Sequence, residues 1–88
     1  MEKDAIKTIS LEQLTDIVGF RVIVKTIEDC YKTLGIFHSK YSAIPGKFKD
    51  YISTPKINQY KSIHTALIGP IKKRIEIQIR TKPMHEFA

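Results

Sequence analysis

The sequence predicts an α+β fold: a small mixed β-sheet with flanking helices. Three observations carry that expectation. The run Ile17-Val18-Gly19-Phe20-Arg21-Val22-Ile23-Val24 is nearly continuously apolar and rich in β-branched residues, as expected for a central strand covered on both faces. Ile27, Cys30, Tyr31, Leu34, Phe37 and Tyr41 recur at helical spacing and mark an amphipathic helix over residues 27–41. Arg74-Ile75-Glu76-Ile77-Gln78-Ile79-Arg80 alternates isoleucine with polar residues, the period of a half-buried strand.

The remaining elements follow in chain order. Residues 1–15 are polar and weakly patterned, with capping-box spacing at Ser10-Leu11-Glu12-Gln13 that suits a short helical turn. Thr26 is a good N-cap for the helix, with Glu28 and Asp29 where the dipole favours acids. Gly35 weakens that helix without forbidding it. Residues 44–59 hold prolines, a glycine and several charges, and read as a loop with one helical turn at Phe48-Lys49-Asp50-Tyr51-Ile52. A loop of this length in so small a domain points to function or mobility. Residues 62–68 form the second strand, and Gly69-Pro70-Ile71-Lys72-Lys73 turns it into the third. Thr81 caps a further helix that the chain cuts short. So few strands suggest part of a larger fold.

Composition bounds the function. Eighty-eight residues make one small domain. Fifteen Lys and Arg against nine Asp and Glu give a net charge of +6, which favours polyanions: nucleotides, nucleic acid or an acidic membrane surface. Cys30 is the single cysteine, so no internal disulfide forms and a reducing cytoplasm is expected. No apolar run reaches transmembrane length and the N-terminus is no signal peptide.

The polar residues offer chemistry and, in each case, a plainer alternative. Asp16 stands at the mouth of the first strand and Glu76 in the middle of the third. If those strands are neighbours, two carboxylates converge as they do around Mg²⁺. Otherwise Asp16 is a turn residue and Glu76 pairs with Arg74 or Arg21. Lys47, Lys49, Lys56 and Lys61 surround Phe48, Tyr51 and Tyr60, so a base could stack on a ring while ammonium groups meet phosphates. A solvated loop anchored by two aromatics, or a single-stranded RNA site, would look the same. His64 sits on a strand with Ala66 and Ile68 on its face and reads as a packed residue. No His or Cys stands at zinc spacing, and no glycine-rich phosphate loop is present.

Several blocks, taken in order, carry a resemblance. They are Asp16-Ile17-Val18-Gly19-Phe20-Arg21, Pro45-Gly46-Lys47-Phe48-Lys49-Asp50-Tyr51-Ile52, Pro55-Lys56-Ile57-Asn58-Gln59-Tyr60-Lys61-Ser62-Ile63-His64-Thr65, Glu76-Ile77-Gln78-Ile79-Arg80-Thr81 and Met84-His85-Glu86. Together they resemble the synthetase domain of the RelA/SpoT family. The resemblance implies a partial nucleotidyltransferase-like fold over residues 1–88. It implies transfer of pyrophosphate from ATP to the 3′-hydroxyl of GTP or GDP, which makes the alarmone of the stringent response. It implies that Asp16 binds Mg²⁺ and that Glu76 binds the metal or activates the hydroxyl. Tyr60 would stack on guanine; Lys47, Lys49, Lys56, Asn58 and His64 would line the guanine-nucleotide side, with Gln78 and Arg80 supporting the floor.

Two departures temper the expected activity. Lys47 stands where the family usually has Arg, which loses a fork-shaped phosphate donor. Residues 1–15 do not match the basic, Ser-containing segment on which the family's ATP site draws. The expectation is therefore a weak or inactive synthetase fragment that needs a partner chain to complete the ATP site. It should be cytoplasmic and self-associating, without a membrane partner and with nucleic acid disfavoured. The alternatives are a non-catalytic guanine-nucleotide or alarmone binder and a small basic RNA-binding module.

Overall fold

The computed structural model describes the backbone of Ile6–Ile9 and residues 17–87. The elements run β1 (Ile6–Ile9), β2 (Ile17–Val24), α1 (Ile27–Lys40), β3 (Ser42–Ala43), β4 (Lys49–Asp50), β5 (Ile63–Ile68), a 3-10 turn (Pro70–Lys72), β6 (Arg74–Thr81) and α2 (Lys82–Phe87). They form the expected mixed sheet, in the order β1-β2-β6-β5-β3, with β4 also on β5. β2 and β6 are parallel, and the other pairs are antiparallel. The parallel pair needs a long crossover, and α1 with the following loop and β5 supplies it.

Helix α1 starts as its sequence dictates. The Thr26 hydroxyl accepts the Asp29 amide at 3.0 Å. The inner face of the helix, with Cys30 and Thr33 buried, lies against the sheet. Val22, Cys30, Ile63, Leu67, Ile77 and Ile79 form the core, with Phe20, Val24, Leu34, Phe37, Tyr41, Ile52 and Ile75 packed around it. Each such burial is worth about 1.5–3 kcal/mol. Cys30 is fully buried, and burial followed by Asp29 and Asp50 pushes its thiol pKa up to about 11, so it packs rather than reacts. Buried Ser62 is satisfied by donating to the Ile79 carbonyl at 3.2 Å.

Three expectations need correction. β2 is not covered on both faces: Val22 alone among its residues is buried, because Gly19 and Arg21 lie along an open groove. The expected helical turn at residues 48–52 is instead the short strand β4 followed by a turn. The Asp50 carboxylate accepts the Ile52 and Ser53 amides, both at 3.0 Å, which ends the strand and bends the chain. Residues 1–15, read as weakly patterned, contribute β1 on the edge of β2. The turn expected from Ser10 lies outside the described residues.

The β5–β6 connection forms where expected, under strain. Ile71 and Lys72 have φ of 62° and 57°, the left-handed region that a β-branched residue rarely enters. Ile71 is 91% exposed, so no packing is gained in return. Ile71→Gly should therefore stabilise the chain by about 1 kcal/mol, the strain of one such residue less part of the entropy cost of glycine. The midpoint of urea unfolding should rise without a change in slope.

Candidate functional site

Side chains alternate across β6, so Arg74, Glu76, Gln78 and Arg80 share the face opposite the α1-covered core. Pairing on both sides sorts that face into rows. Glu76 lies between Gly19 of β2 and Ala66 of β5. Gln78 lies between Arg21 and His64, and His64 in turn faces Lys49 of β4. Glu76 thus has the two smallest side chains as neighbours, while the next row carries long polar groups. A trough results: a groove of about 470 Å³ lined by Gly19, Arg21, Lys47, Lys49, His64, Glu76 and Gln78, among others. That volume suits a small-molecule ligand. Gly46 also lines it, and its φ of 82° makes the turn that brings Lys47 to the rim.

Glu76 is half exposed, and Arg74 holds its carboxylate through Nη2 at 2.7 Å. The plainer reading of Glu76, an ion-paired strand residue, is thus realised together with its place in the groove. A pair this exposed is worth little and can open for a ligand. Asp16, the other expected carboxylate, lies outside the described residues. Among the described residues no cluster of three His, Cys, Asp or Glu is able to hold a metal unaided. Mg²⁺ does not need one: it keeps waters and substrate phosphates and takes one or two protein carboxylates. Glu76, open to the groove, fits that limited role.

Beside the groove sits an aromatic cluster. The Tyr60 hydroxyl and His64 Nε2 are 2.9 Å apart. Tyr51 meets His64 and Tyr60 edge-on, with ring centroids 5.3 and 6.1 Å apart. Lys56 Nζ lies over the Tyr51 and Tyr60 rings at 4.7 and 5.4 Å, and the Arg80 guanidinium over Tyr60 at 5.8 Å. Arg80 is 4% exposed; it donates to Gln78 Oε1 at 3.3 Å, while its Nε and Nη1 have no partner among the described residues. Burial above all lowers its pKa; Tyr60 works against that, and nearby Arg21 adds to the lowering.

The expected residues therefore fall in two adjoining places. Lys47, Lys49, His64, Glu76 and Gln78 line the groove; Lys56, Tyr60 and Arg80 form the cluster, and His64 joins the two. Asn58 lies outside the groove: its side-chain oxygen accepts the Tyr60 amide at 3.1 Å and shapes the loop, and it lines a second, open pocket with Tyr51 and Lys56. Phe48 leaves the cationic cluster and packs edge-on against His38. Sequence reasoning named Tyr51 only among the aromatics of the basic loop and did not place Arg21 in the site. The spacing of Arg21 two residues after Gly19 was the available signal, since both then share a strand face.

This topology is that of the alarmone synthetases. The small alarmone synthetase 2 of Bacillus subtilis superposes with a TM-score of 0.77 at 29% identity, over 93% of this chain and 56% of that one. Synthetase 1 of the same organism, solved with its product pppGpp, shares the fold with a TM-score of 0.72 at 23% identity, over 80% of this chain and 40% of that one. Residues 1–88 match the family described as the region found in RelA/SpoT proteins, and the chain belongs to that family. It is 61% identical over 82 residues to the GTP pyrophosphokinase rsh of Brucella ovis, covering 93% of this chain. It is 54% identical over 87 residues to the guanosine-3′,5′-bis(diphosphate) 3′-pyrophosphohydrolase of Aquifex aeolicus, covering 99% of this chain. The chain spans only 11% and 12% of those two relatives.

His64 gives the site a pH dependence. Burial first, then Lys56 and Arg80, hold its pKa below the usual 6.5. The unfolded chain therefore takes up this proton at higher pH than the folded one. Stability from neutral His64 is fully present above pH 6.5 and declines as pH falls through the lowered folded value. An NMR titration should place the His64 midpoint below 6.5, and His64→Gln should flatten the decline in urea midpoint over that range.

Proposed function

We propose that this chain is the guanine-nucleotide part of an alarmone-synthesis site. It holds GTP or GDP with Mg²⁺ and presents the 3′-hydroxyl to pyrophosphate carried by ATP. One observation carries this reading: Glu76 stands in a trough rimmed by Arg21, Lys47, Lys49 and His64, directly beside the Tyr60 cluster. A carboxylate beside cations suits phosphate chemistry, and a neighbouring aromatic suits a base. The names of the relatives support the same substrates.

The residue types allot the roles. Lys47, Lys49 and Arg21 neutralise phosphate oxygens from the rim. Tyr60 offers a ring to guanine, with Lys56 and Arg80 keeping that end of the site cationic. Glu76 accepts the proton of the attacking hydroxyl or holds the metal with Asp16. The metal, when bound, neutralises charge on the transferred group. His64, kept neutral by its surroundings, accepts or donates a single hydrogen bond rather than adding a charge. The Arg74–Glu76 ion pair favours a second reading, in which the chain binds the nucleotide without chemistry while its carboxylate stays engaged.

Calorimetry with GDP and Mg²⁺ tests binding. Wild type should bind, and Tyr60→Ala should weaken binding by about 1–3 kcal/mol, the range for one base stacked on an aromatic ring. Equal affinity for the two would sink the Tyr60 assignment, and a preference for single-stranded RNA over GDP would favour an RNA module. Labelled ATP, GTP and Mg²⁺ test the chemistry. The chain alone should form no alarmone at a family-like rate, because transfer requires ATP held in line and residues 1–15 lack the expected clamp. A partner chain that supplies the clamp should restore it.

A further inference from the structure

Between α1 and the loop lies a polar network that the proposed chemistry does not use. Tyr31, in the second turn of α1, donates from its hydroxyl to Asp50 Oδ2 at 2.9 Å. The Ser53 hydroxyl donates to the same oxygen at 2.9 Å, and the Tyr31 and Ser53 hydroxyls are 2.8 Å apart. Asp50 Oδ1 takes the Ile52 and Ser53 amides. One carboxylate thus fixes a turn of the loop and ties it to the helix. Burial pushes the Asp50 pKa up, but these amide and hydroxyl donors outweigh it and hold the carboxyl below its usual range. The next residue is Tyr51, whose amide donates to the Ser62 carbonyl at 2.8 Å and whose ring abuts Tyr60, His64 and Lys56.

We infer that Asp50 and Tyr31 are positioning residues for nucleotide binding: they orient Tyr51, and through it the Tyr60 ring and Lys56, without touching the ligand. The inference rests on the guanine-nucleotide reading above. Residues 44–62 contain no regular element beyond the two residues of β4, so a few scattered backbone bonds, among them Tyr51 to Ser62 and Lys56 to Tyr60, and hydrogen bonds to side chains together set their path. The Asp50 bonds are charge-assisted, and only the Tyr31 bond reaches across to the helix. Loss of Tyr31 removes this tie to α1, leaving the Phe48–His38 contact and the internal turn; loss of Asp50 removes the tie and the side-chain bonds of the turn.

The test uses the full chain and two readouts. The first is GDP affinity with Mg²⁺ present. The second is the NMR shift of the Lys56 side-chain methylene next to Nζ, which the Tyr51 and Tyr60 rings should move from its free-lysine position. Asp50→Ala removes all four bonds to the carboxylate and, acting only through the position of Tyr51, should weaken GDP binding about tenfold. It should also return the Lys56 signal toward free lysine while the amide signals of β5 and β6 stay in place. Tyr31→Phe should produce a smaller change in the same direction, about threefold in affinity, from loss of one hydroxyl bond. Asp50→Asn should recover part of the loss, since its oxygen still accepts the two amides. The inference is overturned if Asp50→Ala and Tyr31→Phe leave both affinity and the Lys56 signal unchanged. If Asp50→Ala does not fold, Tyr31→Phe and Asp50→Asn decide the matter. If wild type binds no GDP, the functional reading fails separately, and the Lys56 signal in the variants still decides whether this network orients the cluster.

Discussion

The site depends on the register of one parallel strand pair. Gly19 faces Glu76 and Arg21 faces Gln78 because β2 and β6 align Ile17 with Arg74 and Val24 with Thr81. A slip of one residue would turn the isoleucines of β6 toward the groove and bury its charges, so the core enforces the register. Val22, Ile77 and Ile79 are at most 1% exposed, and none can leave without opening a cavity. The oily face therefore fixes the polar one. A carboxylate with a glycine on one side and an alanine on the other needs no dedicated pocket, since the small neighbours are the pocket.

The second half of the site follows a different logic. The loop after α1 has almost no ladder to follow, and polar side chains hold it together with a few scattered backbone bonds. Asn58 takes the Tyr60 amide, Asp50 takes two amides and two hydroxyls, and Tyr60 meets His64. A loop held this way is easier to reshape than a strand, because each bond contributes only about 0.5–1.5 kcal/mol. The rigid floor and the adaptable wall meet at His64, which stands on β5 and touches the Tyr51 and Tyr60 rings.

Arg80 brings both halves to one point. A guanidinium that is 4% exposed is costly to bury, and among the described residues Gln78 and the Tyr60 ring offset part of that cost. Membership of the RelA/SpoT family gives this cationic concentration a context. The chain spans 11% and 12% of the two curated relatives.

Much of this was legible in the sequence, and the division between what was and what was not has a physical cause. Strand β6, helix α1 with its Thr26 cap, the β5–β6 turn and the Thr81 cap before α2 were readable because each rests on local geometry: a two-residue or helical period, a capping hydroxyl, a Gly-Pro pair. The polar residues of β6 could be assigned to one face for the same reason. Strand β1 could not be read, because four residues with little pattern become a strand only by pairing with β2. Which residues stand beside Glu76, the membership of Arg21, the burial of Arg80 and the replacement of a helical turn by β4 were decided by tertiary structure. Each depends on partners distant in the chain, and sequence spacing carries no record of who sits across a strand pair or which helix residue a loop carboxylate will find.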